Sequence, residues 1–177
     1  MTTAFLHLPM AYPDRSRRTT AQRVGGYAEA LRRRRRFLAN MTIIYRDEWT
    51  LSTRQVEACL SLLSEMRQVV LATQAYLHSL EPGKTKLLRP YACVTKLADL
   101  DYLLTEVLLY CTVFHKICET TGSERVQLHL TIRALFPLVL TSYDDTHSML
   151  AALAAVVTEQ ETTMIQRQQE ERCHDEE

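Results

Sequence analysis

Ser52 to Leu80 reads STRQVEACLSLLSEMRQVVLATQAYLHSL, and this stretch decides the fold. Within it Val56, Leu60, Leu63, Met66 or Arg67, Val70, Thr73 or Gln74, Leu77 and Leu80 make a near-heptad repeat. Steps of three, four and seven put these positions on one face of a helix. Ser52 followed by Gln55 has capping-box spacing, in which each side chain satisfies a backbone N–H of the other residue. Glu81-Pro82-Gly83 ends the run, because proline cannot continue a helix and glycine favours its exit. The pattern predicts one long amphipathic helix.

The same period extends in both directions. On the N-terminal side, Thr19 and Gln22 repeat the capping-box spacing, and Val24, Tyr27, Leu31, Leu38, Met41 and Tyr45 form a second stripe. Gly25 and Gly26 weaken its first turns by ~1 kcal/mol each, so the firm part of that helix is expected over 27–46. On the C-terminal side, Pro90 suits a first helical turn. Val94, Leu97, Leu100, Leu103, Leu104, Val107, Leu108, Cys111, Phe114 and Cys118 then wrap a third helix so widely that it is expected at the centre. Leu100, Leu104, Val107 and Leu108 are its predicted core.

Gly122 reads as a stop and Ser123 as the next cap. A fourth helix carries Val126, Leu130, Ile132, Leu135 and Phe136, and Pro137 is expected to kink or divide it. Beyond Ser142 to Asp145 a further segment turns Met149, Leu150, Leu153, Val156, Val157 and Met164 inward, then frays past about 166. The sequence therefore predicts an all-α bundle of four to five helices over 19–166. A flexible basic arm over 1–18 precedes it and an acidic tail over 167–177 follows.

Composition agrees. Of 177 residues, 46% are hydrophobic and 24% charged, and the 4 Gly and 5 Pro are too few for a turn-rich sandwich, barrel or Gly-looped nucleotide fold. No apolar run reaches the ~18 residues needed to span a membrane. The formal net charge of +0 conceals a strong polarity. Residues 1–46 hold ten arginines against Asp14 and Glu29, an excess of +8, and the other residues carry the matching −8. Such asymmetry bears on partners and self-association rather than on fold. Cysteines 59, 93, 111, 118 and 173 are odd in number, and four lie in apolar helical stretches as small buried side chains. They suit a reducing intracellular compartment, nuclear or cytoplasmic. An Arg-rich, acid-poor head would also suit an organelle transit segment, although five contiguous arginines are unusual for one.

Candidate chemistry is sparse. Gly83-Lys84-Thr85 has the end of a phosphate-binding loop, but His78 stands where its first glycine belongs and a helix precedes it. Cys111, His115 and Cys118 share a helix face and could begin a zinc site, yet in this apolar setting core filling is the stronger reading. Asp144-x-x-His147 resembles half of a di-iron motif but stands alone, with Asp144 readable as a helix cap. Asp101 falls on the Val94–Leu97–Leu104–Leu108 stripe and needs either an arginine partner from the first helix or a solvent edge. Asn40-Met41-Thr42 fits a glycosylation sequon inside a predicted helix and is discounted. No catalytic residue, metal or cofactor is assigned.

Arg32, Arg33, Arg34, Arg35 and Arg36 remain, with Arg46 beyond them. At 100° per residue five successive arginines circle the helix, so at least one must face the side of Leu31 and Leu38. A buried guanidinium needs a compensating anion. These six arginines are the predicted partner-binding residues, set against a plainer reading in which their aliphatic stems cover the core edge. The sequence points to a non-enzymatic protein–protein interaction module, an adaptor or assembly subunit of a nuclear or viral complex, and is compatible with a homo-oligomer. The alternatives are a nucleic-acid-associated factor gripping phosphates through the arginines and, third, a helical-bundle metal or cofactor enzyme. Lack of interleaved aromatics and the acidic remainder weigh against nucleic acid.

Overall fold

The computed structural model describes residues 18–47, 52–80, 90–116 and 122–175, and within them the chain forms four helices and no strand. They are α1 (Thr20–Asp47), α2 (Thr53–Ser79), α3 (Pro90–Lys116) and α4 (Gly122–Asp175). Both predicted capping boxes form. The Gln22 N–H donates to Thr19 Oγ1 at 3.3 Å while Gln22 Oε1 accepts from the Thr19 N–H at 3.2 Å. Ser52 and Gln55 exchange the same pair at 2.8 and 3.3 Å. Gly25 and Gly26 lie inside α1, which begins a full two turns before the firm stretch expected from sequence. A Cβ at either glycine would meet nothing within 4 Å, so the pair costs helix propensity without serving close packing.

Adjacent helices run antiparallel. Arg34 of α1 meets Glu65 of α2, Arg67 of α2 meets Asp101 of α3, Lys96 of α3 meets Asp145 of α4, and Arg35 of α1 meets Asp144 of α4. The result is an up-down-up-down four-helix ring in which α1 packs on α4 and α2, and α3 packs on α2 and α4. The α1–α4 seam is the most extensive and the α1–α2 seam the slightest. The diagonal pairs do not approach backbone to backbone, and only long side chains such as Tyr45, reaching Cys111, cross the centre.

The core stripe is largely the predicted one. Leu31, Leu38, Leu63, Met66, Leu97, Leu100, Leu104 and Val107 are fully buried, and Leu108 is half-buried. Three expectations are corrected. First, α3 is a corner of the ring rather than its centre, and its outer face leaves Tyr102 and Leu109 exposed. Second, of the kink or division expected at Pro137, the division does not occur, and α4 is one helix through it. Proline removes one helical hydrogen bond, at about 3 kcal/mol, but Pro137 and Arg133, whose carbonyl loses its donor, both face solvent. The opposite side of the same turn anchors Phe136, Val139 and Tyr143 in the core, so packing carries α4 through. Third, Gly122 lies in the first turn of α4, which runs as one helix from Gly122 to Asp175, rather than before a cap at Ser123. Most of the predicted arm, residues 1–17, lies outside the described residues, as do Gly83-Lys84-Thr85 and Cys118.

Candidate functional site

The five arginines divide by helix angle into inner and outer sets. Arg34 points inward, as the periodicity requires of at least one. Its side chain is 17% exposed, donates to the Ala30 carbonyl at 3.0 Å and lies 3.8 Å from Glu65 on α2. Arg35 faces α4 and holds Asp144 in a bidentate pair at 2.6 and 2.7 Å. That pair fixes Asp144 as a mid-helix ion partner, so its predicted role as a cap is corrected: α4 starts 22 residues earlier, at Gly122.

Arg32 and Arg33 are exposed and share Glu29, one and the same carboxylate, at 2.6 and 2.9 Å. Hydrogen bonds from Arg32 and then Arg33 pull the Glu29 carboxyl down to about 2. Two cations on one anion leave a net positive charge on this turn. Arg36 is exposed and has no ion pair among the described residues. Arg46 grips its neighbour Asp47 at 2.7 and 2.9 Å, and this bond, helped by the charge of Arg133, lowers the Asp47 carboxyl. The predicted set thus separates. Arg34 and Arg35 tie α1 to the bundle, while Arg32, Arg33, Arg36 and Arg46 face outward.

Sequence reading missed the apolar ground beside them. Val126 and Leu130 are exposed, and so are Leu138 (55%) on α4 and Ile43 (50%) on α1. The antiparallel register, set by Tyr45 stacked on Phe136 at 4.9 Å between ring centres, brings Ile43 level with Pro137 and Leu138. Helical periodicity puts Val126, Leu130 and Pro137 on one side of α4, the first two beyond the level at which α1 ends at Asp47. Arg36, Arg46 and Arg133 are exposed on the same two helices. Far down α4, Met164 (60%) and Ile165 (55%) are exposed as well, which corrects the inward place predicted for Met164.

Inside the bundle, Tyr45, Cys59, Cys93, Cys111 and His129 are buried. Tyr45 Oη lies 3.6 Å from Cys111 Sγ, and Cys59 shares the cluster. The Cys59 thiol is pushed well above its usual range by its hydrogen bond to Cys111 and by burial, and burial does the same to Tyr45. His129 is buried between the rings of Tyr45 and Phe114, at 6.0 and 6.2 Å. Cys59, Cys93 and Cys111 are buried free thiols. Among the described residues no three His, Cys, Asp or Glu side chains gather as a metal site. Asp101 pairs with Arg67 at 2.8 Å, an arginine of α2 rather than the first-helix partner or solvent edge considered from sequence. No described helix is long and apolar enough to cross a membrane. Compared with family models, curated proteins and solved structures, the chain matches none.

Proposed function

We propose that this chain is a non-enzymatic protein–protein interaction module, an adaptor or assembly subunit, that docks partners on the outer face of α1 and α4. The observation that carries the reading is the exposure of Ile43 on α1 and of Val126, Leu130 and Leu138 on α4, two helices that also carry the exposed Arg36, Arg46 and Arg133. Apolar side chains surrounded by charge are the usual anatomy of a docking surface, with affinity coming from the desolvated centre and orientation from the rim. The division of the arginines supports protein over nucleic acid. Arg34 and Arg35 are committed to Glu65 and Asp144, and Arg32 and Arg33 share Glu29. A phosphate-gripping helix would keep such cations free along one side.

The test is retention of cellular partners by the tagged full chain, before and after nuclease, beside the variant Leu130→Asp/Leu138→Asp. Both leucines are already exposed, so the variant keeps its fold, which circular dichroism checks. Protein partners that survive nuclease and are lost with the variant support the reading. Partners lost entirely on nuclease treatment favour the nucleic-acid alternative. Partners indifferent to both changes refute docking at this face.

A further inference from the structure

The row of α4 side chains that α1 covers runs on past the start of α1. Phe136, Tyr143, Leu150 and Val157 recur at heptad steps on one face of α4, and all are buried. Phe136 stacks on Tyr45 of α1, and the Tyr143 hydroxyl donates to the Leu31 carbonyl of the same helix. Met164 is the next member of that row, yet it is 60% exposed, with Ile165 beside it at 55%. The cause is where the neighbouring helices stop. Ala21, in the first turn of α1, donates its N–H to Glu161 at 3.3 Å, so α1 begins about one turn short of Met164. Arg23 of α1 lies over the Tyr76 ring, which brings the end of α2 at Ser79 to that same level. Lys96 beside Asp145 sets the start of α3, at Pro90, further back along α4. From Thr162 to Arg172 every α4 side chain is exposed. A helical segment of this length, about 11 residues, is marginal in water without tertiary support.

The segment that connectivity delivers to this place is the one leading into α1. Residues 1–17 precede α1 directly and hold the apolar run Phe5, Leu6, Leu8, Met10 and Tyr12. Reach is ample: the chain from Tyr12 to Thr19 spans up to about 23 Å, against about 5 Å along the axis from Glu161 to Met164. A tether this short holds the run at an effective concentration on the order of 1 mM, far above that of a second copy at micromolar concentration. We propose that residues 5–12 of the same chain pack on Met164 and Ile165, taking the place that α1 holds further along the row. The pairing of the two ends of the chain then continues past Thr20, and the segment before α1 keeps the last turns of α4 helical. This inference is independent of the docking reading, whose Leu130 and Leu138 lie toward the other end of α4.

The experiment is amide hydrogen exchange on the full chain and on the full-length variant Phe5→Ser/Leu6→Ser/Leu8→Ser, joined to photo-crosslinking from a full-length Met164→p-benzoylphenylalanine chain. Amides over 162–172 are expected to exchange at least about tenfold faster in the serine variant than in wild type, while those from Leu97 to Val107 keep their wild-type rate. The photoprobe is expected to capture residues 4–12 of its own chain, in a yield unchanged by dilution. Wild-type amides over 162–172 that exchange as fast as the variant's overturn the proposal, because the apolar run then protects nothing. Capture of residues 81–89, between α2 and α3, overturns it, since another part of the chain then covers the row. Capture of a second copy, recognised as a mixed product when isotope-labelled and unlabelled chains are combined, overturns it too. So does a probe that captures nothing, because Met164 then stands in solvent.

Discussion

Replacing Leu104 by alanine probes the ring at a fully buried side chain. Leu104 is fully buried on α3, and the antiparallel registers bring it level with Leu63 and Met66 of α2 and Val139 of α4. The substitution removes three carbons, worth about 2.4 kcal/mol at ~0.8 kcal/mol per buried carbon. A residual cavity adds ~24 cal/mol per Å³, and a void of roughly 40 Å³ adds about 1 kcal/mol. Met66 is flexible enough to fill part of that space, which keeps the total near 3 kcal/mol rather than 5. Urea unfolding should therefore lose about 3 kcal/mol at unchanged slope, and the melting temperature should drop by about 6–12 °C. Leu109, five residues on and exposed on the outer side of α3, is the control: its alanine variant should stay within about 0.5 kcal/mol of wild type. A loss under 1 kcal/mol at Leu104, or equal losses at both sites, would refute the placement of α3 in the ring.

Three further outcomes are expected. Gly25→Ala and Gly26→Ala should each raise stability by about 0.5–1 kcal/mol in urea titrations, since the added methyl meets open space and only helix propensity changes. Tyr45, Tyr143 and Cys59 are held protonated in the folded chain, so their contribution is complete below their unfolded values, about 8.5 for cysteine and 10 for tyrosine, and declines as pH rises beyond them. Stability should accordingly fall above about pH 9, by up to ~1.4 kcal/mol per pH unit for each group, and Tyr143→Phe should flatten the slope; a profile level to pH 11 would count against this burial. Glu29 should titrate near 2 by NMR in the wild type and return toward the ordinary carboxylate range in Arg32→Gln/Arg33→Gln, whereas no change would break the shared pair.

Local rules carried most of the fold into the sequence. Capping at Thr19 and Ser52 and the stripes of α1 and α2 depend on residues three to seven apart, and those elements form as their spacing predicts. The inward turn of Arg34 was equally legible, because no helix can keep five successive side chains on one side. Pro137 shows where local reasoning loses: its penalty is confined to one turn, while Phe136, Val139 and Tyr143 supply compensation that only the assembled ring reveals. Met164 fails for another reason. Helical spacing identifies an apolar stripe but not what covers it, and a stripe facing a partner spells the same pattern as one facing the core. Arg35 with Asp144 was invisible because its members stand 109 positions apart. Glu29, three and four residues before Arg32 and Arg33, was a readable signal passed over.

The central claim is that inner arginines hold the bundle and outer ones face the partner. It is tested most directly by measuring melting and partner retention together on two full-length variants. Arg34→Gln/Arg35→Gln frees Glu65 and Asp144, and should lower the melting temperature while leaving partners bound at temperatures where the variant is folded. Arg32→Gln/Arg33→Gln/Arg36→Gln changes only exposed side chains of similar helix propensity, and should leave melting nearly unchanged while weakening retention. The opposite assignment, or retention unaffected by the outer triple substitution, would contradict the account.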